Sequence, residues 1–178
     1  MQALRVLRMA SLALALGAAR DSCPGSPAVI HAKAQVRVRV AGSCSDAMAE
    51  MRARVNGQFG RWHDPHNNGT YTLLRRGSSQ LEFSRLTGDR RYTDLLTFTF
   101  QDTGGASCLL EGCSESQVFS IRDYSTNLCN LCNLYCNRGQ GCHPVLHNLP
   151  NSQVRVWTSI GAGKDEGECL KVRRLLLL

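Results

Sequence analysis

Nine cysteines in 178 residues, six of them between positions 108 and 142, constrain this chain more than any other feature. Sulfur at that density ties distant segments onto a small core, either by pairing with itself or by holding metal. In the stretch CLLEGCSESQVFSIRDYSTNLCNLCNLYCNRGQGC the triplet Asn-Leu-Cys occurs twice, at 127–129 and 130–132, and 133–136 nearly continues it. At about 100° per residue, Cys129, Cys132 and Cys136 fall on one helical stripe flanked by Leu128, Leu131 and Tyr135. Asn127, Asn130, Asn133 and Asn137 occupy the other side. The pattern predicts a short helix pressed onto a core through its sulfurs, with Asp123 or Ser125 as its cap and Gly139 as its terminator. Asparagine is a poor helix former, so an irregular loop held by cystines is the alternative.

The N-terminus indicates which sulfur chemistry applies. Arg5 and Arg8 precede an apolar run over 9–19, broken only by Ser11 and ending in Gly17, Ala18 and Ala19. That is a signal-peptide pattern over 1–19, with cleavage after Ala19. The run is shorter than the roughly 20 residues a membrane span needs, which argues against a transmembrane anchor. Export leads to an oxidising compartment, where thiols become cystines. Cys23, Cys44, Cys108, Cys113, Cys129, Cys136, Cys142 and Cys169 are therefore the disulfide candidates. Cys132 is the free-thiol candidate, because three bridges from one short helix would crowd the Cα spacing of about 4.4–6.8 Å that disulfides need. Cys23, in a leader where a partner is harder to hold, is its rival. The leftover thiol is expected to be reactive or to join two chains.

Loss of Arg5 and Arg8 with the signal lowers the formal charge from +7 to +5. No basic block interleaves with aromatics, so nucleic acid is not an expected partner. Residues 22–45 contain no acid, and read either as the second part of an organelle address or as a Pro-rich leader running into a strand. Alternation of Val36, Val38 and Val40 with Arg37 and Arg39 favours the strand. Ser45 and Asp46 can cap a helix carrying Ala47, Met48, Met51 and Val55, which Asn56-Gly57 stops. Positions 57–70 read as a long irregular loop, broken by Gly57, Gly60, Pro65 and Asn68-Gly69. Runs over 71–74, 81–86 and 92–100 read as strands, the third with Tyr92, Leu96, Phe98 and Phe100 on one face and threonines on a face open to water. Gln117 to Arg122 reads as a further strand, and Val154, Val156, Thr158 and Ile160 mark a last one. The four terminal leucines belong to a tail.

The densest constellation of metal-ligand types is His63, Asp64 and His66, although Pro65 forbids the helix that usually displays spaced histidines. The competing reading is an exposed loop of Asx turns. Cys129-x2-Cys132 with Cys136 or Cys142, near His143 and His147, resembles zinc-ligand spacing, a reading that oxidation would remove. Ser114-Glu115-Ser116 reads as a turn beside Cys113 rather than as a polar cluster with Asp123. No G-x-S-x-G, H-E-x-x-H or phosphate-cradling loop occurs, and no cofactor is implied. Asn68-Gly69-Thr70 is a glycosylation sequon at Asn68.

Together these features predict a β-rich domain, all-β or α+β, in which a small antiparallel sheet carries one or two short helices and is stapled by disulfides. The organisation is signal peptide 1–19, leader and first strand 20–44, cysteine-rich domain 45–170 and tail 171–178. The expected function is a secreted, non-enzymatic protein that binds a protein or glycan partner. The alternatives are a secreted hydrolase or metal-dependent enzyme using the His63, Asp64 and His66 loop, and an organelle-imported zinc-binding protein.

Overall fold

The computed structural model describes residues 23–170, so the expected signal peptide and cleavage point and the expected tail at 171–178 lie outside the described residues. Strands β1 (Lys33–Ala41), β2 (Thr70–Arg76), β3 (Gln80–Leu86), β4 (Thr93–Asp102), β5 (Ser107–Ser116) and β6 (Asn151–Thr158) form one sheet in the order β2-β3-β4-β5-β1-β6. Every pairing is antiparallel. Helices α1 (Cys44–Asn56) and α2 (Thr126–Tyr135) pack on this sheet, and 3-10 turns follow at Arg138–Gln140 and Glu166–Leu170. The result is a small antiparallel β-rich domain with two helices and four disulfides.

Period-two alternation puts Val36, Val38 and Val40 of β1 and Leu96, Phe98 and Phe100 of β4 inside. The register then builds the inner face row by row. Leu81, Phe98, Gly112 and Val36 stand side by side across β3, β4, β5 and β1, and so do Phe83, Leu96, Ser114 and Ala34. The next row is Arg85, Asp94 and Ser116, so the inner face changes from apolar to polar at one end. Gly112 lets α2 approach: a Cβ there would stand 2.8 Å from Phe98 Cε1 and 3.2 Å from Leu131 Cδ2.

The disulfides join elements that these rows leave independent. Cys23–Cys113 pins the leader on the outer face of β5, Cys44–Cys108 ties α1 to the start of β5, Cys129–Cys169 holds the last 3-10 turn on α2, and Cys136–Cys142 closes the loop after α2. Cys132 is buried and lies outside all four. A buried ion pair between Arg54 and Glu50, 2.7 Å apart, adds a second kind of tie. Arg54 donates to the carbonyls of Asn133 (2.7 Å) and Cys136 (2.6 Å), satisfying the end of α2 where cations are favoured. Glu50 accepts the backbone N–H groups of Val145, Leu146 and His147 and so anchors the loop before β6. Burial alone would raise the Glu50 pKa, but those three N–H groups and Arg54 outweigh it and hold the carboxyl below its usual range.

Several elements differ from the sequence expectation. Ser43, not Ser45 or Asp46, caps α1, its hydroxyl accepting Asp46 N–H at 3.0 Å. Residues 114–116 are not a turn but the end of a central strand, which lacks clean alternation because both of its faces are covered. The stretch 117–122 is no strand, since it leaves the sheet without a continuous partner: Gln117 N–H goes to Thr93 and Ser120 N–H to Ile30. Gly139 belongs to the 3-10 turn, whereas α2 ends at Tyr135. Tyr92 precedes β4 and is exposed, as is Ile160, which lies beyond the end of β6. The threonine face of β4 is not fully open to water: Thr97, opposite Cys113, is buried.

Candidate functional site

The polar end of the sheet meets the asparagine stripe of α2, and that meeting builds the site. Asn127, Asn130 and Asn133 recur every three residues, close to one helical turn, and all three are buried. Each amide donates to a different carboxylate: Asn127 Nδ2 to Asp123 (3.1 Å), Asn130 Nδ2 to Asp94 (2.8 Å) and Asn133 Nδ2 to Asp64 (2.7 Å). Ser114 and Ser116 on β5 complete the ladder. The Ser114 hydroxyl donates to Asn127 Oδ1 at 2.6 Å and the Ser116 hydroxyl to Asp94 at 2.8 Å. Buried amides with partners of this kind rigidify a core, whereas unpaired ones would open it. The asparagines are thus packed into the interior together with the sulfur stripe.

Asp64 is the most heavily engaged member. It accepts the backbone N–H groups of His66 and Gly69, both at 2.9 Å, and pairs with the fully buried guanidinium of Arg85. Burial pulls Arg85 toward neutrality, but the adjacent Asp64 charge reverses that and holds it above its ordinary value. Arg85 also donates to Asn67 and lies over the Tyr71 ring, 5.6 Å from its centroid.

A cavity of about 920 Å³ opens where this ladder reaches the surface. Asp94, Asp123, Ser116 and Thr126 line it from the ladder, Thr87, Asp89 and Tyr92 from the β3–β4 connection, and Phe119, Ile121 and Tyr124 from the segment leading into α2. Phe119 is 63% exposed although it is a large apolar ring. Tyr124 and Ser125 both have left-handed backbone, φ 50° and 64°, uncommon for residues with a Cβ. Close packing holds that turn: Asp123 N–H reaches the Gly161 carbonyl at 3.1 Å, and a Cβ on Gly163 would stand 2.0 Å from Ser125 Oγ.

Asp123 caps α2 through Asn127 N–H (3.0 and 3.1 Å) and is 6% exposed. Burial is the main influence on its carboxyl and pushes the pKa up to about 6, against the opposing Asn127 hydrogen bonds. No protein-family model, no curated protein and no solved structure matches this chain. Its chemistry therefore has to be read from the geometry alone.

That geometry does not assemble the expected metal constellation. His63 is exposed, Asp64 faces Arg85, and His66 is buried rather than in an exposed loop. The His66 ring sits 3.0 Å from the Glu168 carbonyl oxygen at Nδ1 and 3.4 Å from Thr126 Oγ1 at Nε2. A carbonyl only accepts, so Nδ1 carries the proton and Nε2 faces the hydroxyl. The backbone turns at Pro65 and sends successive side chains into different surroundings. His63 instead shares a cleft of about 140 Å³ with His143. The cysteine and histidine set is dispersed too: Cys129, Cys136 and Cys142 are in disulfides, and His147 lies 3.9 Å from Asp46. Among the described residues the one cluster with metal-ligand spacing is Cys23, Cys113 and Glu115, whose two sulfurs are already bonded to each other.

Cys132 lies 3.0 Å from Tyr135 Oη and 3.6 Å from Glu166 Oε1. Burial drives its thiol far above the usual range, so it is neutral and shielded rather than reactive as expected. Asn68 is exposed, with φ 56°. Of the residues that build this site, sequence reasoning named Asp123 only as a cap for α2 and passed over Asp94, Arg85 and the aromatic lining of the cavity. The asparagine period of three was a readable signal for one side of the ladder, and the cap position marked Asp123, but nothing local marked Asp94 or joined Asp64 to Arg85.

Proposed function

We propose that this protein is an exported, disulfide-stapled binding protein whose cavity receives a small molecule with an apolar body. The cavity carries the reading: about 920 Å³ rimmed by Tyr92, Phe119, Ile121 and Tyr124 lies within the range of small-molecule sites. Exposed aromatic and aliphatic side chains around an opening lose free energy in water unless a ligand covers them. Four disulfides suit an oxidising compartment, and among the described residues no helix is long and apolar enough to cross a membrane.

The test uses the full, unreduced chain and the neutral fluorophore N-phenyl-1-naphthylamine. Saturable, stoichiometric enhancement is expected, displaced by decanol and weakened about fivefold or more by Phe119→Ser with Ile121→Ser. Leu146→Ser, at an exposed leucine outside the cavity, is the control. Absence of saturable binding, or binding indifferent to the rim substitutions, would sink the proposal.

A further inference from the structure

The charges beneath the cavity do not balance within the fold. Asp64, Asp94 and Asp123 are all buried, yet Arg85 is the one buried guanidinium placed among them. Arg85 stands directly opposite Asp94 in the strand register, but its hydrogen bonds go to Asp64 and Asn67. Among the described residues Asp94 receives only neutral donors, the Ser116 hydroxyl and the Asn130 amide, and Asp123 receives only Asn127. Among the described residues neither carboxylate makes a salt bridge. Buried carboxylates are ordinarily paired with a cation, since neutral hydrogen bonds replace only part of the lost hydration. Asp123 illustrates the shortfall: an aspartate capping a helix should be held low, yet burial carries it up to about 6.

Both under-compensated carboxylates line the same cavity, as do two exposed charged residues, Asp89 and Arg122, and among the described residues Arg122 makes no salt bridge to any of the three carboxylates. The Ser116 and Thr87 protons already point at Asp94 and Asp89, so the floor offers acceptors and asks the ligand for donors. Tyr92, Phe119 and Tyr124 line the opening, and the face of an aromatic ring attracts ammonium groups. Resting on the small-molecule reading of this cavity, we infer that its ligand is an organic amine: an ammonium head held by Asp94 and Asp123, with an apolar body against the aromatic rim. An anionic ligand would meet two buried carboxylates, and a neutral one would leave them without a counter-charge.

Decylamine, decanol and decanoate, identical in their chains and different in their heads, test this by displacement of N-phenyl-1-naphthylamine from the full, unreduced chain at neutral pH. Decylamine is expected to bind about tenfold or more tightly than decanol, with decanoate weakest. Asp123→Asn and Asp94→Asn should each collapse the amine preference while decanol still binds, which also shows that the variants fold. Equal binding of amine and alcohol by the unsubstituted protein would overturn the amine assignment and leave the cavity reading standing. Failure of all three ligands to displace the probe would overturn both. An amine preference that survives in both variants, or displacement of decylamine by calcium alone, would overturn the assignment by placing the cation elsewhere or by making it inorganic.

Discussion

Replacing Asp64 by alanine perturbs the most heavily shared acceptor in the interior. The change removes the counter-charge of fully buried Arg85, whose Nη1 has no hydrogen-bond partner even in the intact fold. It also leaves His66 N–H, Gly69 N–H and the Asn133 amide without their acceptor. Breaking a buried pair from one side costs about 3–5 kcal/mol, and each orphaned buried donor about 1–3 kcal/mol, part of which water entering the vacated space returns. A loss of at least about 4 kcal/mol is expected, a large part of the roughly 5–15 kcal/mol available to a domain of this kind. Asp64→Leu with Arg85→Met should cost less than the sum of the two single changes by about 2 kcal/mol or more, because the double variant strands no charge. Urea unfolding with the disulfides intact, followed by fluorescence of buried Trp62, measures both quantities. If Asp64→Ala shifts stability by less than about 1 kcal/mol, Asp64 is a surface-loop residue and the buried ladder is wrong. Strict additivity in the double variant would refute the coupling to Arg85.

Asp123 predicts an unusual pH profile. Its carboxyl sits at about 6 in the fold against an ordinary 3.8, so between those values the folded chain binds more protons than the unfolded one. Its contribution therefore grows as the pH falls from above 6 toward 4, by on the order of 2–3 kcal/mol. Asp123→Asn should be stabilised relative to the unsubstituted protein at pH 7 and lose that advantage on acidification; parallel urea midpoints across this range would contradict the burial of Asp123. For Cys132, a thiol reagent should label the native, unreduced chain slowly, and after unfolding without reductant should modify one residue per chain, at Cys132. Rapid labelling of the native protein, or labelling of several cysteines, would overturn the disulfide arrangement.

Features that depend on neighbours in the chain could be read directly. Alternation in β1 and β4 sets which side chains enter the core, because successive residues of a strand point to opposite faces whatever lies beyond it. The density of cysteines implied a stapled antiparallel domain, and the helical period of the Asn-Leu-Cys repeat placed three sulfurs on one stripe. The asparagines could not be interpreted in the same way. An amide is equally at home in water and against a buried acceptor, and only the strand register, by bringing Asp94, Ser114 and Ser116 under α2, decided between the two. Likewise β5 escaped detection because its burial comes from α2 on one side and the pinned leader on the other, not from its own pattern. The apparent metal triad at His63, Asp64 and His66 was dispersed by the backbone turn through Pro65 and by Arg85, which lies 21 residues from Asp64 in the chain. Charge balance is a property of the assembled interior. That two buried carboxylates line one cavity without a salt bridge among the described residues became visible only once three segments distant in sequence were folded together.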